Sequence, residues 1–139
     1  MSRGHRTVPH TADIALEAWA DDRDACLAEA VRALVETFAD LGPAADAPSG
    51  REVDFPATAV REGGAALLVA LLEEVIYQVE VHGRVVVDVR PGREGGLRLS
   101  TVPAGTVEQV GAMPKAVTTH GLRFDRTGGQ WRARAVVDV

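Results

Sequence analysis

Ile14, Leu16, Ala18 and Ala20 alternate with Ala15, Glu17 and Trp19. A period of two over that length predicts a strand with one buried face. Arg6 to Val8, stopped by Pro9, reads as a shorter strand before it. The period then changes. Leu27, Ala30, Val31, Leu34, Val35, Phe38 and Leu41 recur at helical spacing and form the stripe of an amphipathic helix. Asp21, Asp22 and Asp24 offer carboxylates to cap its start, and Gly42-Pro43 supplies a stop. A small, polar loop from Ala44 to Gly50 leads to a short strand around 51–57, where Val53 and Phe55 alternate with charged neighbours. Gly63-Gly64 punctuates the chain. Leu67, Leu68, Leu71, Leu72, Val75, Ile76 and Val79 then predict a second, more buried helix over 65–81, with a β-branched tail that blurs its end.

The second half reads as strands. Val85 to Val89 is β-prone, Pro91 to Gly96 is a turn, and Leu97, Leu99 and Thr101 alternate as an antiparallel partner. Gly105 to Pro114 has few structure formers and reads as a connector. Residues 115–124 form another strand, Asp125 to Gly129 a hairpin loop, and Trp131 to Val139 the closing strand. This order predicts an α+β fold, a two-layer sandwich with two main helices packed on a mostly antiparallel sheet. No internal repeat or linker divides the chain, so residues 1–139 are expected to form one domain.

Composition narrows the function classes. The chain has 139 residues, long enough for a core without disulfide or metal staples. Its formal net charge of −5 argues against direct nucleic-acid binding, which usually needs a basic patch. Aromatic content of 4% makes base stacking a poor prospect. A single cysteine, Cys26, rules out an intrachain disulfide and a cysteine zinc cluster. It falls off the main apolar stripe of its helix, beside acids, and is assigned no reactivity. No apolar run approaches the roughly 20 residues that span a bilayer, and no apolar signal core opens the chain, so a cytoplasmic protein is expected. There is no phosphate-cradling glycine loop, nucleophile elbow or zinc-protease helix motif.

What remains lies at the two ends. Pro9-His10-Thr11-Ala12-Asp13-Ile14 sets an imidazole and a carboxylate three residues apart, just before the first long strand. Asp13 could simply bond nearby backbone amides in a turn. Alternatively, it supplies carboxylate oxygen to a hard cation such as Ca²⁺ or Mg²⁺, whereas His10 suits a softer ion better. Asp138 follows Val136-Val137 on the last strand, one residue before Val139. It is either a solvated charge on a frayed tail or an acid held in a sheet. If the first and last strands are neighbours, Asp13, Asp138 and the carboxylate of Val139 converge. Lys115 and His120 flank the penultimate strand; a surface lysine and a turn histidine are the plainer readings of both.

Taken together, His10-Thr11-Ala12-Asp13-Ile14, the helix 67–77, Lys115-Ala116-Val117-Thr118-Thr119-His120 and the terminal 131–139 make the sequence resemble the archease family. The pieces stand in the family's order across essentially the whole chain. Ala70, Glu73 and Thr119 depart from it, where the family often has Trp, Asn and an aromatic. The resemblance implies an activator and not an enzyme: a protein that helps an RtcB-type RNA ligase, which joins tRNA halves and repairs RNA, through guanylylation and multiple turnover. It implies a divalent cation, Ca or Mg/Mn, at Asp13, Asp138 and Val139, and a contact from Lys115 to the ligase or a phosphate. His10 and His120 would support that site. The partner would be the ligase, with no direct nucleic-acid or membrane binding. The alternatives are a chaperone-like binding module without a metal, or a small metal-dependent hydrolase, which would need a fuller metal cluster than the sequence offers.

Overall fold

A computed structural model describes residues 2–9, 13–42 and 50–139. In chain order the elements are β1 (Gly4–Pro9), β2 (Asp13–Ala20), α1 (Arg23–Glu36), β3 (Ala39–Asp40), β4 (Arg51–Phe55), α2 (Ala57–Glu62), α3 (Gly64–His82), β5 (Arg84–Pro91), β6 (Leu97–Pro103), β7 (Glu108–Gln109), β8 (Ala116–Thr127) and β9 (Gln130–Asp138). The α+β class holds, and every strand pairing among the described residues is antiparallel. The strands are shared among three sheets: a four-stranded one in the order β1-β2-β9-β8, a three-stranded one in the order β4-β6-β5, and the β3-β7 pair. Helix α1 packs against both β2 and β5, and α3 against both β8 and β5, so the helices tie the larger sheets together.

Helix α1 starts as expected, because the Asp22 carboxylate accepts from the Ala25 amide at 2.8 Å. It ends earlier than the apolar stripe suggests. Its last residue is Glu36, and the Thr37 hydroxyl donates to the Leu34 carbonyl at 2.7 Å. Phe38 and Leu41 are buried all the same, but from a segment that leaves the helix to pair with β7. Helix α3 keeps its β-branched tail to His82. Val75 and Ile76 are core residues there, and Gly83 stops the helix in the left-handed conformation at φ 62°. Helix α2 was not legible: six residues between Pro56 and Gly63 are too few for a period to show. The connector after β6 holds a 3-10 turn and the two residues of β7. The β8–β9 hairpin is tighter than expected, since only Gly128 and Gly129 turn, both at positive φ, as a two-residue hairpin requires.

Leu27, Leu34, Leu67, Leu68, Leu71 and Leu72 of α1 and α3 are fully buried against Leu16, Leu97 and Leu99 of the sheets. Each such leucine contributes about 1.5–3 kcal/mol relative to an exposed one. Cys26 corrects the sequence reading of its position: it is fully buried within this core, not off the apolar face. Burial, then the nearby acids Glu29 and Asp22, push its thiol up to about 12, so the absence of reactivity has a stronger basis than the stripe implied. Among the described residues no helix is long and apolar enough to cross a membrane.

Candidate functional site

The strand order brings the two ends of the sequence together. β2 and β9 pair so that Asp13 stands directly opposite Asp138, with Ile14 opposite Val137 and Leu16 opposite Ala135. Alternation puts Leu16, Ala135 and Val137 on the inner face, toward the helices, and Asp13 and Asp138 together on the outer one. Directly opposed side chains in an antiparallel pair have Cβ atoms about 4.5–5.5 Å apart. β9 lies between β2 and β8, so Asp138 is held from both sides: Asp13 on one, Ala116 on the other. The Lys115 amide donates to the Asp138 carbonyl at 2.8 Å. The strand bearing Asp138 is thus pinned in the sheet and is not a frayed tail.

Asp13 is half-buried, Asp138 and Lys115 are exposed, and Val139 follows the strand end half-buried. His10 lies outside the described residues. His120 is exposed in an irregular stretch of β8, where the pairing with β9 slips between Thr118 and Arg123, and its amide donates to the Thr118 hydroxyl at 3.3 Å. It lies where β8 bulges between the rows of Val136 and Arg134, and not in the Asp138 row. The structure therefore groups Asp13, Asp138, Val139 and the backbone of Lys115, and leaves His120 apart.

Two carboxylates directly opposed on a sheet repel each other. A cation between them converts that cost into binding energy. The donors are oxygens only, which suits a hard ion such as Ca²⁺ or Mg²⁺ and not zinc. Among the described residues no third His, Cys, Asp or Glu joins a metal-ligating group. The remaining positions of a hard-ion shell would fall to an oxygen of Val139 and to water.

Sequence reading passed over two further clusters. The His5 ring lies between carboxylates of α1, with Nδ1 2.6 Å from Glu29 and Nε2 2.6 Å from Glu36, and Arg3 donates to Glu29 at 2.6 Å. Burial alone would raise the Glu29 carboxyl, but the hydrogen bonds from His5 and Arg3 outweigh it and hold the group below its ordinary value. This cluster ties the edge strand β1 to α1. The second cluster is a row of arginines farther along the outer face of the four-stranded sheet. Its signal in the sequence was Arg132 and Arg134, two apart on the last strand.

Comparison with known proteins fits this geometry. The chain is 45% identical over 141 residues to the Mycobacterium tuberculosis protein named "Probable protein archease", spanning 99% of this chain and 76% of that one. It is 34% identical over 142 residues to "Protein archease" of Methanopyrus kandleri, covering 95% and 96% of the two. The fold matches the crystal structure of a Thermotoga maritima archease, described as a possible chaperone, with a TM-score of 0.72 at 22% identity over 95% of this chain and 94% of that one. It also matches the solution structure of a Methanobacterium thermoautotrophicum protein with a TM-score of 0.67 at 20% identity, over 98% and 99%. The sequence profile of the Archease protein family covers residues 5–139, and the chain belongs to that family.

Proposed function

We propose that this protein is an accessory factor that acts on a partner enzyme, and that the partner is an RtcB-type RNA ligase whose guanylylation and turnover it promotes. The observation that carries the reading is the cross-strand register of Asp13 with Asp138 at one end of the sheet, in a chain of this family. Asp13, Asp138 and an oxygen of Val139 would hold a divalent cation, Ca or Mg/Mn, which supplies positive charge to phosphate oxygens. Asp13 comes from the half-buried side of the pair and orients it, and Asp138, more exposed, faces the partner. Lys115 fixes the last strand through its amide and offers an exposed ammonium beside the same edge. An activator of this kind needs neither a nucleophile nor a proton relay of its own.

A second reading is a chaperone-like binding module without a metal. The description of the Thermotoga maritima relative as a possible chaperone favours it. One experiment separates the two. The purified protein is mixed with its cognate RtcB-type ligase, GTP, Mn²⁺ and an RNA with 2′,3′-cyclic phosphate and 5′-hydroxyl ends, and turnovers are counted. Wild type is expected to raise them. Asp13→Ala and Asp138→Ala are expected to lose the effect while remaining folded, and Lys115→Ala to weaken it. Stimulation that survives both carboxylate changes would leave the module without a metal as the reading that stands.

A further inference from the structure

In a molecule of formal net charge −5, the outer face of the four-stranded sheet gathers Arg6, Arg123, Arg132 and Arg134 around Glu17. The register runs Arg6 opposite Glu17, Glu17 opposite Arg134, and Arg134 opposite Arg123, so one row crosses all four strands. The next row sets Trp19 opposite Arg132. Together these six residues line a shallow cleft of about 110 Å³. Two of the arginines are committed to acids: Arg6 donates to Glu17 at 2.6 Å, and Arg123 to Asp125 at 3.1 Å. Arg132 and Arg134 hold no hydrogen bond or ion pair with a described residue. They stand two apart on one strand, about 7 Å from each other, with Arg132 exposed and Arg134 half-buried. Gly121, whose φ of 69° in the irregular stretch of β8 favours glycine, lies beside the Arg134 guanidinium.

Trp19 completes the surface. Its indole lies over Gly4 of the neighbouring strand, where a Cβ would come within 2.6 Å of Cζ2, so only glycine admits this ring position. A pair of guanidiniums near Glu17 but hydrogen-bonded to no described acid, beside a half-buried indole, combines the two things a single nucleic-acid strand asks of a protein: charge for phosphates and a ring on which a base can stack. We propose that this outer face binds single-stranded nucleic acid, with phosphates on Arg132 and Arg134 and a base on Trp19. An acidic protein segment would use the charge but has no comparable use for the ring. Four residues of β2 separate this row from Asp13, about 13 Å, so the surface is distinct from the acidic end of the sheet and does not depend on the cation reading. The overall negative charge does not forbid it. Phosphates answer to the local field, and the chain's acids are carried mostly elsewhere.

The test is fluorescence anisotropy with a labelled single-stranded RNA 12-mer, titrated from low to physiological salt, on variants shown to be folded by circular dichroism. Wild type is expected to bind with a clear salt dependence. The double variant Arg132→Gln/Arg134→Gln is expected to flatten the slope of log K against log salt by about 1.4, two released contacts on a single strand. Arg90→Gln/Arg98→Gln, the same change of charge on the three-stranded sheet, is expected to leave the slope alone. Trp19→Ala is expected to weaken binding about 5- to 100-fold, and Trp19→Phe to restore part of it. Glu17→Gln removes the one carboxylate in the cleft and is expected to tighten binding. The proposal is overturned by no binding at low salt, by a slope unchanged in the double arginine variant, by a duplex that binds as well as the single strand, or by poly-glutamate that competes as well as RNA. The last result would assign the face to an acidic protein partner.

Discussion

The two ends of one sheet face carry opposite chemistry. At one end Asp13 and Asp138 oppose each other as like charges; about 13 Å along the same strands Glu17 sits between Arg6 and Arg134. Between them Ala15 and Val136 are buried, although they lie outside the main core. The inner face of β2 and β9 is apolar, with Leu16, Ala18, Ala133, Ala135 and Val137 all buried. The difference shows how a period-two strand divides its labour. Inward positions are dictated by packing against α1 and α3, and outward positions are left to chemistry. The basic end is compensated in part, since Arg6 and Arg123 are bonded to acids. The Arg6 hydrogen bond is the main influence holding the Glu17 carboxyl below its ordinary value, and the Thr127 hydroxyl followed by Arg123 does the same for Asp125. At the acidic end Asp138 faces Asp13 on one side and Ala116 on the other.

The largest way to break this contrast is to remove the sheet beneath it. Leu16 is buried on the inner face of β2, midway between the two ends. Leu16→Ala is expected to cost about 2–5 kcal/mol in urea unfolding, and to lower the melting point of both ends together. A cost under about 1 kcal/mol would mean that β2 is not packed as described.

A sharper test separates the ends. With a divalent cation at one hundred times its Kd, the wild type is expected to gain about 2.7 kcal/mol of stability. Asp13→Asn and Asp138→Asn are expected to lose that gain, and Asp138→Asn to be no less stable than wild type when the cation is chelated, since it relieves the cross-strand repulsion. An equal rise in melting temperature for variants and wild type would remove the acidic end from consideration as a cation site.

A smaller effect reads out the tether of β1, which carries Arg6 to the basic row. The native Glu29 carboxyl lies below its ordinary value of 4.5. Its contribution is therefore complete above about that pH and is lost as pH falls through the native value. Charge-assisted hydrogen bonds of this sort contribute about 1.5–3 kcal/mol. Unfolding free energy measured from pH 6 down to pH 3 should fall more steeply for wild type than for Glu29→Gln. Parallel curves would show that the Arg3 and His5 bonds to Glu29 add nothing to the fold.

Some of this was legible without coordinates. The acids at 21–24 announced the start of α1, the turn residues at 125–129 a hairpin, and the leucines of α3 a buried helix, because caps, turns and periods act over a few residues. The pairing of Asp13 with Asp138 could be entertained, since both acids interrupt apolar strands at opposite ends of the chain. The arginine row could not. Arg6 lies at the opposite end of the sequence from Arg123 and Arg134, and net charge averages over the very asymmetry that matters. The end of α1 was misread for a related reason: Phe38 and Leu41 keep the helical spacing and are buried, yet it is the pairing of Ala39 with Gln109 that decides their backbone.

By itself, then, the sequence determined what local physics can determine: which residues alternate, which recur every third or fourth position, where helices begin and hairpins turn, and which family the motifs resemble. Only the tertiary structure decided that β9, besides its hairpin partner β8, lies against β2. Placing that last strand between β2 and β8 aligned Asp13 with Asp138 and Arg6 with Glu17, Arg134 and Arg123 in a single stroke. Strand order is a property of long-range packing, and a register shifted by one residue would have turned every one of these side chains to the opposite face.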